Sequence, residues 1–496
     1  MARASAPSPA HATESLGIVF MVSEATPLAK TGGLADVAGA LPKALVALGH
    51  RVTVILPYYR RQIVASGYSP QRQEGDIHIW IDGRHLYAGI HRLEIEGVRY
   101  LLVEEDSLFD REQLYGPPGG AFSDNLFRYL FFSRVALELA AQLPSGVDII
   151  HCHDWQTALV PLLLRSQYRH HSSLSKVRTL YTIHNLAYQG VFPPEWVDRL
   201  GLPFDAFAPE GFEFYGQINC MKAGIVYADA VTTVSRSYAA EILTPEYGWH
   251  LEGLLAYHSG KLSGIENGLD LEEWNPAVDP YLPARFGVDD PVGKRRCKEE
   301  LQRRSGLSVR EDQPLMAVVS RLAEQKGIDL LFAAIHHWLH QGCQLVVLGA
   351  GDPGMEHALA HIAATHPEQF CFHRGYNEPL AHLIYAGADL FLMPSRFEPC
   401  GLSQLVAMRY GAVPVVRATG GLRDTVVDYR HSRSGSTGFS FEEASSDALR
   451  ECVDAAVDLW RRPNSWRPLR NRALRRDSSW QASAQLYVEL YRKLFA

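Results

Sequence analysis

No stretch of the 496-residue chain approaches the roughly 20 consecutive apolar residues that a membrane helix needs. The opening MARASAPSPAHATES lacks the apolar centre of a secretory signal, and residues 1–15 read as a flexible tail. Cysteine is scarce: seven residues, at 152, 220, 297, 343, 371, 400 and 452, an odd count with no CxxC pair. In a chain of this size that reads as reduced thiols in a cytoplasm. An excess of positive charge is missing as well. Lys and Arg number 48 against 55 Asp and Glu, a formal net charge of −7, so no nucleic-acid partner is expected. A local cationic pocket remains compatible with that balance. The chain also has no GxSxG elbow, Walker A loop or HExxH helix.

What is present is an ordinary folded composition, 47% hydrophobic and 21% charged, in a chain too long for one hydrophobic core. Short apolar runs recur, each followed by a helix-like segment. GIVFMV (17–22) precedes a helix over about 33–48, in which Pro42 is placed to kink the axis. RVTVILP (51–57), VRYLLVE (98–104), a helix near 125–143, VDIIHC (147–152), VRTLYTIHN (177–185) and DAVTTVS (229–235) continue the series. These runs are rich in Val, Ile and Thr and do not alternate cleanly, as strands buried on both faces of a parallel sheet do not. After LSGIENGLD (262–270) the pattern restarts. PLMAVVSR (314–321), QLVVLG (344–349), QFCFHRG (369–375), ADLFLMP (388–394) and AVPVVRA (412–418) are strands separated by helices such as GIDLLFAAIHHWL (327–339). The charged run RRPNSWRPLRNRALRRD then leads into a last helix over 479–495. The fold class is α/β, with two doubly wound, Rossmann-like parallel-sheet domains.

Ligands of open α/β sheets bind outside the carboxyl ends of the strands, so two such sheets facing each other are expected to form the lips of one cleft. The motifs fall at those ends. KTGGLADVAGALP (30–42) and ATGGLRDTVVD (418–428) repeat one TGGL phrase between strand and helix. Glycine lets a backbone approach a ligand, although a ligand-free tight turn explains TGG equally well. SRLAEQKG (320–327) supplies Arg321 and Lys326, which fit a diphosphate or a solvated loop. SRFEPCGLSQ (395–404) carries Glu398 ahead of Cys400, Gly401 and Leu402. That carboxylate suits sugar hydroxyls, the Gly401 and Leu402 amides suit phosphate, and a helix-start acid is the plain alternative. HCHDW (151–155) alternates two histidines on one side of a strand, yet lacks the further ligands of a closed metal site; cleft-lining polar residues fit better. YTIHNLAYQG (181–190) sets His184 and Asn185 at another strand end, where an ordinary hydrogen-bonded histidine is the alternative. Glu24 sits on the loop before Lys30, and Tyr115 lies in DREQLYGPPGGAFSDN (110–125), a loop that either meets an acceptor or is merely mobile.

KTGGLADVAGALP, HCHDWQTAL, YTIHNLAYQG, SRLAEQKG and RFEPCGLSQL stand together in one order, and in this the chain resembles the bacterial glycogen synthase and plant starch synthase family from about residue 17 to its end. The resemblance implies a glycosyltransferase-B fold: an acceptor-side domain over 16–265, a nucleotide-sugar domain over 266–475 and a C-terminal helix, 476–496, crossing back to the first domain. It implies transfer of glucose from ADP-glucose to the non-reducing end of an α-1,4-glucan, with retention, without metal or cofactor, in the cytoplasm. By the same resemblance, Lys30, Arg321 and Lys326 contact donor phosphate, and Gly32 and Gly33 bring backbone to the nucleotide and sugar. Glu398 lies near the donor glucose, His184 beside the reacting sugar, and Asn267 in ENGLD near the donor and acceptor pocket. Cys400, Gly401 and Leu402 join the donor seat, and Thr419, Gly420 and Gly421 face the phosphates. Glu24, Tyr115 and Asp154 line the acceptor cleft. Many related retaining enzymes carry a second Glu eight positions after the first; here that position is Val406, as in the starch and glycogen synthase branch.

As ADP leaves, negative charge grows on it, and converging cations would stabilise that charge. The family route has the acceptor hydroxyl attack from the leaving-group face, a phosphate oxygen taking its proton, with Glu398 as the remaining candidate nucleophile. Lys326→Ala is expected to lower turnover about a hundredfold or more while leaving the melting temperature unchanged. A UDP-glucose-dependent transferase, a non-catalytic glucan-binding protein and a phosphorylase-like enzyme with pyridoxal phosphate are the alternatives. Oligomeric state is not legible in the chain.

Overall fold

The computed structural model describes residues 15–117, 119–290 and 292–496; the expected tail, residues 1–15, lies outside the described residues except for Ser15. Two compact units are present. The first gathers the chain up to Thr182 with Ala187–Val231 and Val488–Ala496; the second holds Ile183–Leu186 and Thr232–Tyr487.

In the first unit the fully buried strand Gly17–Met21 is central, parallel to Arg51–Pro57 on one side and Ile149–His153 on the other. Seven strands of the nine-stranded sheet run in the order Arg178–Ile183, Ile149–His153, Gly17–Met21, Arg51–Pro57, Val98–Glu104, Arg84–Ile95, Gln71–Ile81. The strand order reverses at Gly17–Met21, which puts the topological switch point beside its carboxyl end. The last two strands are an antiparallel addition that the apolar runs do not announce. They are joined at Asp82–Gly83 and again to Val98–Glu104 at Glu96–Gly97, with φ of 50° and 67°, and 50° and 78°. Two-residue turns with both φ positive match the twist of hairpin strands, which is why a glycine closes each. The helix Gly33–Ala47 runs through Pro42 without a break. Leu34, Val37, Ala38, Leu41 and Leu45 are all buried, so packing of that face holds the helix together.

The second unit holds a six-stranded, all-parallel sheet: Phe370–Arg374, Gln344–Gly349, Leu315–Val319, Leu390–Met393, Val413–Arg417, Phe439–Phe441. Numbered along this unit, the order is 3-2-1-4-5-6, the dinucleotide-binding order, with the switch point between Leu315–Val319 and Leu390–Met393. Alternation divides each strand between two cores. Met316, Val318, Leu345, Val347, Leu390 and Leu392 face one, with Trp338 and the helix Ser446–Trp460. Leu315, Ala317, Val346, Leu348, Phe391 and Met393 face the other, with Leu383, Ile384 and Leu405. Both faces are dry, so the strands read as unbroken apolar runs. The charged run before the last helix is itself helical, Pro463–Arg475, with Trp466 and Leu469 turned into the core and the arginines spread around the rest. The final helix is Trp480–Lys493.

Candidate active site

The switch point of the second unit opens onto a cavity of about 190 Å³ lined by the ends of the two diverging strands: Val318–Arg321 from one, Leu392–Ser395 from the other, with Lys326 and Ser403. A tight backbone approach sets Lys326 there. Gly327 has φ of 66°, and a Cβ on it would stand 2.0 Å from the Pro394 carbonyl, so only glycine lets the QKG turn lie on the strand end. Lys326 Nζ then meets Glu398 Oε2 at 2.6 Å, and Ser395 Oγ donates to the same oxygen at 3.1 Å. The two loops are further locked by Arg396 N to Gln325 O at 2.8 Å and by the Arg396–Asp329 pair, two contacts of 2.7 Å. Arg321 is exposed at the mouth and reaches Gln325 Oε1 at 3.3 Å.

The EPCG and TGG turns are in backbone contact. Gly421 N donates to the carbonyls of Glu398 and Pro399 at 3.1 and 3.2 Å. A Cβ on Gly420 would stand 2.1 Å from Glu398 O, and one on Gly421 2.0 Å from Cys400 O. Gly420 N donates to Glu241 Oε1 at 2.8 Å, and the Thr419 hydroxyl faces the same carboxylate. Both glycine amides are therefore committed inside the protein. Burial pushes the Glu241 carboxyl up from its ordinary value. Gly401, with φ of 72°, turns the chain into the short helix Ser403–Arg409, and Gln404 Nε2 holds the Cys400 and Gly401 carbonyls. Burial pushes the Cys400 thiol up to about 12, and the thiol meets the backbone of Asn267. The buried Asn267 Oδ1 has no partner among the described residues. His184 is buried, and desolvation pulls its imidazole down to about 3, so the ring is neutral across the physiological range.

In the first unit, Glu24 follows the central strand and Asp154 follows its neighbour at the switch point. Glu24 is 4% exposed and accepts from Thr31 N at 2.5 Å and Thr31 Oγ1 at 2.7 Å, which ties the KTGG loop to the strand end. Burial pushes its carboxyl up to about 7. Lys30 Nζ contacts Asp36 at 2.6 Å on the exposed side. Gly32 and Gly33 are exposed, and a Cβ on Gly33 would meet nothing within 4 Å. The fold itself therefore makes no demand for glycine at 33. Tyr115 OH lies 2.8 Å from Ser23 Oγ, and the buried Arg128 holds the carbonyls of Leu108 and Leu114, anchoring the loop around Tyr115. Asp154 takes φ of 50° directly after His153. The His151 and His153 rings lie 4.1 Å apart, tilted at 32°, and His151 spends both ring nitrogens on Tyr491 OH and Thr182 Oγ1, at 2.8 and 2.6 Å. Among the described residues, no group of three His, Cys, Asp or Glu side chains is arranged to hold a metal, and no helix is long and apolar enough to cross a membrane.

Residues 17–257 match the family model described as the starch synthase catalytic domain, and residues 299–471 match glycosyl transferases group 1. The glycogen synthase of Syntrophotalea carbinolica is 45% identical over 484 residues, covering 96% of this chain and 99% of that protein. That of Anaeromyxobacter dehalogenans is 47% identical over 479 residues, with the same coverage of 96% and 99%. Among solved structures, the catalytic domain of starch synthase IV from Arabidopsis thaliana, bound to ADP and acarbose, is 35% identical with a TM-score of 0.90, covering 97% of this chain and 99% of that one. A sucrose-phosphate synthase from Thermosynechococcus elongatus, 18% identical with a TM-score of 0.59, shares the fold. The chain belongs to the glycogen synthase and starch synthase family of glycosyltransferases, built on two Rossmann-like domains of the glycosyltransferase-B class.

Proposed function

We propose that this enzyme transfers glucose from ADP-glucose to the non-reducing end of an α-1,4-glucan with retention of configuration. The observation that carries the reading is the Lys326–Glu398 pair at the carboxyl-end switch point, beside a cavity with Arg321 at its mouth. Two cations there suit a diphosphate whose charge grows as the glycosyl bond breaks. Lys326 and Arg321 stabilise the departing ADP. Glu398 is held by Lys326 and Ser395, so its role is to orient Lys326 and to accept from glucose hydroxyls, rather than to attack the anomeric carbon. Attack then comes from the acceptor hydroxyl on the leaving-group face, its proton passing to a phosphate oxygen. The neutral His184 ring offers a donor or an acceptor to a sugar hydroxyl. The unpartnered Asn267 Oδ1 offers an acceptor.

Because the Gly420 and Gly421 amides are already committed, Thr419, Gly420 and Gly421 serve the donor by shaping its seat around Glu398 and Cys400. The Gly401 and Leu402 amides remain the backbone candidates for phosphate. The resemblance assigns Lys30, Gly32 and Gly33 to the donor, and Glu24, Tyr115 and Asp154 to the acceptor; the open space at Gly33 supports a close approach there. In this reading residues 16–265 form the acceptor side, 266–475 the nucleotide-sugar side, and 476–496 return to the first domain. Seven free cysteines support a cytoplasmic setting.

Labelled ADP-glucose and UDP-glucose, each offered with glycogen, test the reading. Incorporation from ADP-glucose at a clearly higher kcat/KM is expected. Preference for UDP-glucose would overturn the donor assignment, and incorporation from neither would leave a glucan-binding protein.

A further inference from the structure

Three motif segments that are far apart in the chain meet one short stretch that carries no motif. Thr233 Oγ1 donates to Ile183 O at 2.8 Å, and Leu186 N donates to Tyr238 OH at 3.1 Å. These two bonds bracket His184 and Asn185. Ser235, fully buried, accepts from Tyr238 N at 3.1 Å, which caps the helix Arg236–Glu241, and its hydroxyl donates to Pro399 O at 2.6 Å, inside EPCG. Ser237 grips Asp424 twice, N to Oδ2 at 2.9 Å and Oγ to Oδ1 at 2.6 Å. Glu241 takes the Gly420 amide at 2.8 Å. A Cβ on Gly264 would stand 2.2 Å from Ser235 O, so backbone also packs closely on this stretch.

We propose that residues 233–241 are a positioning clasp for glucosyl transfer, in which Tyr238 and Glu241 set the His184 segment and the donor motifs in one frame. The inference rests on the functional reading above. Its physical basis is the kind of contact made. Packing alone would be served by apolar side chains, whereas here each motif segment is taken by a directional bond to its backbone. The bond from Gly420 N–H to a carboxylate is charge-assisted and among the stronger ones. Group transfer between two bound sugars is sensitive to displacements of about 1 Å, so a frame that fixes three segments together acts on rate and on donor affinity. Glu241 works through the turn that lies against Glu398. Tyr238 works through the segment that carries His184.

The test uses the full-length enzyme with Glu241→Ala, Glu241→Gln and Tyr238→Phe, measuring melting temperature, kcat, and KM for ADP-glucose and for glycogen. Glu241→Ala is expected to raise the donor KM about tenfold, with the glycogen KM unchanged. Glu241→Gln keeps an oxygen for the Gly420 amide and is expected to recover most of that loss. Tyr238→Phe keeps the ring and loses only the oxygen; it is expected to lower kcat about tenfold with the donor KM unchanged. Wild-type kinetics in Glu241→Ala and Tyr238→Phe would overturn the clasp, as would losses that are equal in the Ala and Gln variants and track the melting temperature. Should Glu241→Ala not fold, Tyr238→Phe with a wild-type kcat overturns it alone. Normal turnover by the wild type with unaffected variants sinks only the clasp; a wild type that uses no nucleotide-glucose sinks the functional reading as well.

Discussion

Lys326 and Glu398 form a 2.6 Å ion pair whose side chains are only 19% and 9% exposed. Such a pair is not a surface bridge. Removing one partner strands the other charge out of water, at a cost of about 3 kcal/mol. The expectation that Lys326→Ala spares the fold is therefore revised: the variant is expected to lose turnover about a hundredfold or more and also to melt lower. The double substitution Lys326→Met with Glu398→Gln removes both charges and is expected to recover most of the melting temperature while staying inactive. Thermal melts of the single and double variants check this; a Lys326→Ala variant as stable as wild type would show that the carboxylate is rescued by solvent or by protonation.

Much of the second sheet was legible because both of its faces are dry. Leu315–Val319 and Leu390–Met393 leave no polar alternation to mislead, and their ends carry Arg321 and Glu398 to the switch point. The first unit's added hairpin was missed although it carries a signal: IDGR and IEGV each offer a two-residue turn closed by glycine. Its outward face holds His78, Trp80, His85 and Tyr87, with two strong apolar side chains exposed, so the apolar runs broke up. The helix Pro463–Arg475 was hidden by its arginines, since only Trp466, Leu469, Ala473 and Leu474 mark its buried side. At the site, the charged motif residues were readable from type and order. Glu241, Ser235 and Ser237 were not, because their partners lie 160 to 190 positions away, as with Ser235 and the Pro399 carbonyl at a separation of 164 and Ser237 and the Asp424 carboxylate at 187. No local pattern encodes such a partner.

His184 gives a second prediction. Burial pulls its imidazole from the ordinary 6.5 down to about 3. The folded chain thus favours the neutral ring, so the stability linked to it is complete above about pH 6.5 and is lost as pH falls towards 3. Between pH 5 and 8 the ring does not change charge, and any acid limb of turnover in that range belongs to another group. Nuclear magnetic resonance of histidine labelled at Cε1, with a His184→Gln variant to identify the signal, is expected to show no titration of this ring above pH 5. A midpoint near 6.5 would mean that the ring is open to water.

Glu24 titrates in the opposite sense, and its effect is expected to be visible in stability. Burial pushes its carboxyl from 4.5 up to about 7, against the lowering influence of the Thr31 hydroxyl and amide. For an acid whose folded value is raised, the folded state binds the extra proton, so the stability it contributes is full below about pH 4.5 and is lost as pH rises through 7. A shift of that size corresponds to about 3 kcal/mol. Glu24→Gln keeps an oxygen for the Thr31 amide and removes the titration. Denaturant unfolding of the two proteins is expected to coincide near pH 4.5 and to diverge between pH 5 and 7, with the variant the more stable by up to about 3 kcal/mol at pH 8. A difference that stays constant over that range would mean that Glu24 is ionised throughout and that Thr31 offsets its burial in full. At pH 8 the wild-type KTGG loop would then be held by a carboxylate that costs the fold nothing, and the variant would loosen Lys30 rather than stabilise the chain.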